Sequence, residues 1–295
     1  MSAAVVSKWP FSRILDRRGN PTSFVALNGP VVTRADADLF ATLRKQFRFV
    51  GFTSYTDFPR PYLDQNIVDW VDACEGWCHC FRNPAEFLPS GRVSQLISYS
   101  DFVDLRPNFP IDVEKRYDVA FVCADNSWKR YTKNWQLAKR CVTILSLRHS
   151  MRVVLIGVPV SELEGIESGN ITFVPELERV QLLNVLSACR CLLIASEMDA
   201  SPRLLAETLS LDVPVVVNRR ILGGWKYVNR HTGRFFDDEH SVAAAVNNSI
   251  QHCNNPHRWF AANFGPNVTG RRLARFLSRI DPSFRETAAY LERWS

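Results

Sequence analysis

Two carboxylates, Asp199 and Glu207, stand eight positions apart in the run SEMDASPRLLAE, residues 196–207. The run opens where an apolar strand, Cys191–Ser196 (CLLIAS), gives way to a polar loop. It closes on a helix over Pro202–Leu211, with Ser201 placed to cap it and Pro202 at the first helical position, where no N–H is needed. Asp199 then sits on the loop and Glu207 on the second helical turn, both at the carboxyl edge of a sheet. Other groups suit an anion. Lys133 follows the strand Tyr117–Cys123 (YDVAFVC), with Lys129 and Arg130 just before it. Gly223 and Gly224 follow the strand Val213–Asn218 and can bring bare amides close to a ligand, because no Cβ blocks the approach. Cations and amides converging on one point can meet the negative charge that grows on a leaving group.

The elements that must position these residues are legible in the second half. Val153–Val158 (VVLIGV) and Ile171–Val174 read as further buried strands. Thr132–Arg148 and Arg179–Cys189 have helical spacing of apolar residues, Trp135 among them as a core residue. Apolar strands alternating with helices imply a parallel sheet covered on both faces, with ligands beyond the carboxyl ends of its strands. The first half reads as a smaller α/β unit. Its strands are Ser23–Leu27, Phe47–Thr53, Trp77–Phe81 and Val93–Ser98, and its helices Ala35–Gln46 and Asn66–Ala73. Asp104–Glu114, with two prolines, reads as the linker.

The run around Asp199 and Glu207 resembles the signature of the large retaining glycosyltransferase family 4. In that family a serine ends a strand, an acid follows three positions later, and a glutamate eight after that. Here the three are Ser196, Asp199 and Glu207; the family usually has glutamate where Asp199 stands. The similarity continues through the strand Val213–Val217, the Gly223-Gly224 pair, Gly233 in HTGRFF and the acidic Asp237-Asp238-Glu239, covering roughly residues 117–240. The phrase ILGGWKYVN is also similar to a subset of these enzymes that includes some from large algal viruses.

The resemblance implies a GT-B fold, two Rossmann-like domains facing across a cleft, here with a short N-terminal domain. The domains expected are an acceptor-side unit over 1–112, a nucleotide-sugar-binding unit over 113–268, and C-terminal helices over 269–295 packing back across both. It implies Glu207 at the ribose hydroxyls, Asp199 near the donor sugar, and Lys133 at the diphosphate with Lys129 and Arg130 nearby. Gly223, Gly224, Ser201 and Trp225 would complete the donor site, Trp225 or Trp77 stacking on a sugar face. Relatives often carry a histidine of the N-terminal domain near the donor sugar, which makes His79 a candidate. The implied reaction moves a hexose or pentose from a UDP- or GDP-sugar to a carbohydrate or other hydroxyl acceptor. It needs no cofactor and no metal, and proceeds with retention.

Composition limits the rivals. The 295 residues carry 46% hydrophobic and 22% charged residues and a net charge of +6, an ordinary globular balance. The basic residues are dispersed, with no zinc-finger spacing or basic arm, which disfavours a nucleic-acid partner. No apolar run reaches the ~18–20 residues needed to span a bilayer, and eight cysteines fit a reducing compartment as free thiols. A cytoplasmic location is expected, in a host cell if the protein is viral. The segment Cys74–Cys80 (CEGWCHC) has metal-ligand types, but its spacing is cramped and no second pair lies nearby, so buried thiols are the better reading. Two alternatives remain: a sugar-nucleotide epimerase of the same architecture, and a non-catalytic nucleotide- or sugar-binding module.

Overall fold

A computed structural model describes residues 7–53, 68–104, 113–124, 127–163 and 170–292. The chain forms two units, Met1–Phe102 with Phe264–Ser295, and Val103–Asn263. In chain order the first unit contributes strands β1 (Phe11–Asp16) and β2 (Pro21–Leu27), helix α1 (Arg34–Leu43), β3 (Arg48–Phe52), the short α2 (Trp70–Ala73), β4 (Cys74–His79) and β5 (Val93–Leu96). The second unit follows with β6 (Val119–Val122), α3 (Ser127–Thr132), α4 (Trp135–His149), β7 (Val153–Ile156), β8 (Ile171–Val174), α5 (Arg179–Ser187), β9 (Leu192–Ile194), α6 (Arg203–Ser210), β10 (Val215–Asn218), β11 (Gly233–Phe236), α7 (Val242–His252) and α8 (Pro256–Asn263). The chain then returns to the first unit through α9 (Pro266–Ile280) and β12 (Ala289–Leu291).

The second unit is a six-stranded sheet in the order β11-β10-β9-β6-β7-β8, every pairing parallel. Its strands are short and apolar on both sides, as β7 (VVLI) and β9 (LLI) show by being wholly buried, because helices cover both faces. On one face Trp135, Ala138, Cys141, Val142 and Leu145 of α4, with Val242 and Val246 of α7, pack on Phe121, Leu155 and Val216. Each such side chain, fully buried, contributes about 1.5–3 kcal/mol relative to exposure. The strand order reverses between β6, the first strand of the unit, and β9, the fourth. In sheets of this kind the reversal opens a crevice beyond the carboxyl ends of those two strands.

The first unit's sheet runs β12-β1-β2-β3-β4-β5. Strands β2 to β5 are parallel, while β1 is antiparallel to both β2 and β12. Asp16 closes the β1–β2 hairpin by accepting from the amides of Arg18 and Asn20, and these bonds hold its carboxyl below the usual range. Helix α9 lays Leu273, Ala274, Phe276 and Leu277 against Ile14, Phe24, Val50 and Phe52 of the sheet. Its first turn is tied down by Asp101, whose carbonyl accepts from the Gly265 amide and the Thr269 hydroxyl.

Several expectations need correction. Strand β1 has no counterpart among the strands read from sequence. Of the helices expected over 269–295, α9 forms, but the described residues after it make a loop leading to β12, because Ala289–Leu291 finds a strand partner in β1. The helix read over Thr132–Arg148 begins instead at Trp135 as α4; Thr132 ends the separate helix α3, and the chain turns at Asn134, whose φ of 52° is left-handed. Residues 66–67 of the expected helix 66–73 and residues 105–112 of the expected linker lie outside the described residues.

Candidate functional site

Lys133, Asp199, Ser201 and Gly223 gather beyond the carboxyl ends of β6, β9 and β10, whereas Glu207 stands on α6 and pairs with Arg179 and Arg203. Past β6, the chain makes the short helix α3, which carries Lys129 and Arg130, and then turns through Lys133 and Asn134. Lys129 is therefore helical. Asn134 caps α4 by accepting from the Leu137 amide. Burial pushes the Cys123 thiol at the end of β6 up, while the charges of Lys133 and Arg130 oppose the rise. Both cations therefore lie close to that strand end.

Past β9, the loop 195–202 supplies Glu197 and Asp199. Lys133 Nζ donates to Asp199 Oδ2 at 2.7 Å. This bond joins the segment after β6 to the segment after β9, across the point where the sheet order reverses. The other oxygen of Asp199 accepts from the Ser201 amide at 3.2 Å, a local turn that fixes the carboxylate. Ser201 does not cap α6: the helix begins at Arg203 with Pro202 as the capping residue and no side-chain cap bond.

Past β10, Asn218 is fully buried and donates to Ala195 O at 3.0 Å and to Glu197 Oε1 at 3.4 Å. Asn134 Nδ2 reaches the same Glu197 oxygen at 3.4 Å. Glu197 thus links the start of α4 to the end of β10. The Gly223 amide donates to Asp199 O at 2.9 Å, so it is not the bare anion donor expected from sequence. A Cβ on Gly223 would fall 1.8 Å from Ala200 O, and one on Gly224, whose φ is +79°, would fall 2.4 Å from Pro202 Cγ. The glycine pair is therefore required for the β10 loop to pack on the β9 loop. Trp225 begins the short turn that follows and is half-buried.

Glu207 lies on α6 with its side chain only 6% exposed. Its Oε1 accepts from Arg179 Nη2 at 2.6 Å and Arg203 Nε at 2.8 Å. A buried carboxylate requires such partners, since an unpaired charge away from water is costly. The Arg203 pairing has helical i,i+4 spacing and was readable in the sequence. The Arg179 pairing spans 28 residues and left no local signal.

The remaining candidates lie in the first unit. His79 ends β4, is buried, and stacks on Phe81 with ring centroids 6.2 Å apart. It belongs to a different unit from Asp199 and Lys133. Trp77 is fully buried against Trp70 and has no face open to a sugar. Cys74, Cys78 and Cys80 are all buried; Cys74 donates to Trp70 O, and Cys80 is tied to Thr53. All eight cysteines are free thiols. Burial pushes Cys141 and Cys189 up to about 12. Among the described residues, no group of three His, Cys, Asp or Glu side chains is arranged to hold a metal ion, and no helix is long and apolar enough to cross a membrane.

No protein-family model matches the chain, and no curated protein sequence matches it. Its structure is similar to those of known proteins at low sequence identity. Sucrose-phosphate synthase from Thermosynechococcus elongatus aligns with a TM-score of 0.59 and 11% identity over 90% of this chain and 75% of that one. HepE of Anabaena, solved with UDP and glucose, aligns with a TM-score of 0.57 and 15% identity over 86% of this chain and 78% of that one. AviGT4, a glycosyltransferase involved in avilamycin A biosynthesis, gives 0.52 and 13% over 82% and 70%. These likenesses establish the fold class: an α/β protein with two Rossmann-like domains, as in GT-B glycosyltransferases.

Proposed function

We propose that this protein is a glycosyltransferase of the retaining family 4 type, transferring a sugar from a nucleoside-diphosphate sugar to a hydroxyl acceptor without a metal. One observation carries the reading: the Lys133–Asp199 pair spans the strand-order reversal of the second unit, where sheets of this topology bind nucleotides. The neighbour HepE was solved with UDP and glucose, which makes a UDP-sugar the first donor to test.

The residues take the following parts. Glu207, fixed on α6 by two arginines through one oxygen, offers its second oxygen to a ribose hydroxyl. Lys133, held by Asp199, turns to the diphosphate when the donor arrives, with Arg130 and Lys129 behind it on α3. Asp199, released from Lys133, faces the donor sugar. In the reaction the bond between the sugar C1 and the phosphate oxygen breaks, and its electron pair leaves with the diphosphate. The acceptor oxygen forms the new bond to C1, and its proton passes to a diphosphate oxygen. No separate protein base is then needed, and the charge on the leaving group is met by cations. His79, the remaining candidate, is buried at the end of β4 in the first unit.

The test is an assay of UDP release from UDP-glucose, UDP-galactose and UDP-N-acetylglucosamine with a saccharide panel, with product anomers read by NMR. Acceptor-dependent release giving an α-glycoside from the α-linked donor supports the reading. Conversion of donor without a glycoside product would indicate an epimerase. Tight donor binding without turnover would indicate a binding module.

A further inference from the structure

Basic residues are scattered along most of the chain, but helix α9 collects four. Its fifteen residues include Arg271, Arg272, Arg275 and Arg279 and no aspartate or glutamate. At 3.6 residues per turn the four project within an arc of about 100°. The opposite face carries Leu273, Ala274, Phe276 and Leu277, all buried in the core of the first unit. Arg271, Arg275 and Arg279 are exposed, and Arg272 is half-buried with its guanidinium 5.4 Å from the centre of the Phe264 ring.

Elsewhere on the protein, surface arginines meet acids. Arg13 holds Glu292, Arg92 holds Asp72, Arg140 holds Glu239 and Arg219 holds Asp237. Among the described residues no carboxylate pairs with any of the four arginines of α9, and Arg279 reaches only the neutral Gln95 Oε1 at 3.5 Å. The i,i+3 and i,i+4 spacings instead set Arg275 beside Arg271, Arg272 and Arg279, where like charges repel and weaken the helix. Negative charge brought by another molecule would relieve that repulsion.

We propose that the outer face of α9 docks the protein on an anionic membrane surface, its arginines meeting the phosphate and carboxylate oxygens of lipid headgroups. The proposal does not depend on the transferase reading. Arginine presents a planar fork of donors that matches such oxygens. Arg271 to Arg279 spans about 12 Å along the helix axis, a flat stripe suited to a flat array of headgroups. The apolar face of α9 is committed to the core, so the contact is electrostatic rather than an insertion, and salt should screen it. Nucleic acid fits less well. The major groove of a duplex is about 8.5 Å deep, and a helix seated against its own sheet offers one face rather than a protruding rod. Its outer face also lacks the aromatic rings on which single-stranded bases stack.

The test is co-sedimentation of the full chain with vesicles of phosphatidylcholine, with and without phosphatidylserine, at low and high salt. Three proteins are compared: the wild type, Arg271→Gln/Arg275→Gln, and Arg17→Gln/Arg18→Gln, which removes the same charge from the exposed β1–β2 turn. The α9 variant should melt at or slightly above the wild type, since it loses a like-charge contact and no ion pair. The wild type should sediment with the phosphatidylserine vesicles at low salt and stay in solution with phosphatidylcholine alone. The α9 variant should partition roughly 10- to 30-fold more weakly, and the turn variant close to the wild type. A wild type that ignores phosphatidylserine vesicles at low salt overturns the proposal. Equal losses in the two variants also overturn it, because net charge rather than the α9 face would then be responsible. Binding of duplex DNA that the α9 variant loses, with no vesicle binding by the wild type, would overturn it in favour of a nucleic-acid partner.

Discussion

Lys133 Nζ and Asp199 Oδ2 meet at 2.7 Å although 66 residues separate them in the chain. The pair is only partly open to solvent, the side chains being 26% and 19% exposed. It joins the segments after β6 and β9, the two strands between which the sheet order reverses. On the proposed reading the pair keeps Lys133 at this edge until a donor arrives, and the diphosphate then replaces Asp199 as its partner.

Lys133 should matter more than Lys129. A cation meeting charge that develops on the leaving diphosphate acts more strongly in the transition state than in the ground state. Lys133→Ala should lower kcat by ~10²-fold or more, and Lys129→Ala should have a milder effect. Steady-state kinetics on both variants with the identified donor checks this. A crippled Lys129→Ala enzyme beside a near-normal Lys133→Ala enzyme would reverse the assignment.

Removing the Glu207 carboxylate should weaken donor binding. Loss of hydrogen bonds to a charged group costs about 1.5–3 kcal/mol, roughly 10- to 150-fold in Kd. Arg203→Ala should weaken donor binding less, because Arg179 still holds Glu207 Oε1. Calorimetric titration with UDP checks both. Unchanged affinity in a folded Glu207→Ala protein would contradict the ribose role.

Gly223→Ala should damage both the fold and the site. The added Cβ would lie 1.8 Å from Ala200 O, so the loops after β9 and β10 must separate. Overpacking of this sort costs about 1–3 kcal/mol. Gly19→Ala is the control: its φ is +84°, but nothing lies within 4 Å of a new Cβ. That variant should lose only about 1–2 kcal/mol of backbone preference and keep its affinity for UDP. Thermal melting and UDP titration of the two variants distinguish these effects.

Transfer should survive chelation. Activity measured in excess EDTA should match that in untreated enzyme. Loss of activity that manganese restores would overturn the metal-free reading.

The second unit was legible because its signals are local. Runs such as Val153–Ile156 and Val215–Asn218 are too apolar to sit anywhere but a doubly covered sheet, and the carboxyl edge follows from strand direction. Asp199, Lys133 and Glu207 could therefore be placed at one edge. What escaped depends on distant parts of the chain. Ala289–Leu291, inside the stretch expected to be helical, pairs instead with β1. The Arg179 contact to Glu207 and the Asn134–Glu197–Asn218 links form only when separate strand ends converge. The break between α3 and α4 rests on one left-handed residue, Asn134, a conformation that asparagine tolerates but that no periodicity announces.

The most direct test is a thermal-shift screen of the wild-type protein and Glu207→Ala against UDP-, GDP- and dTDP-sugars. A ligand at a hundred times its dissociation constant adds about 2.7 kcal/mol of stability. The account expects one base series to raise the melting temperature of the wild type clearly and that of Glu207→Ala much less. No shift with any nucleotide sugar, or equal shifts in the two proteins, would contradict it.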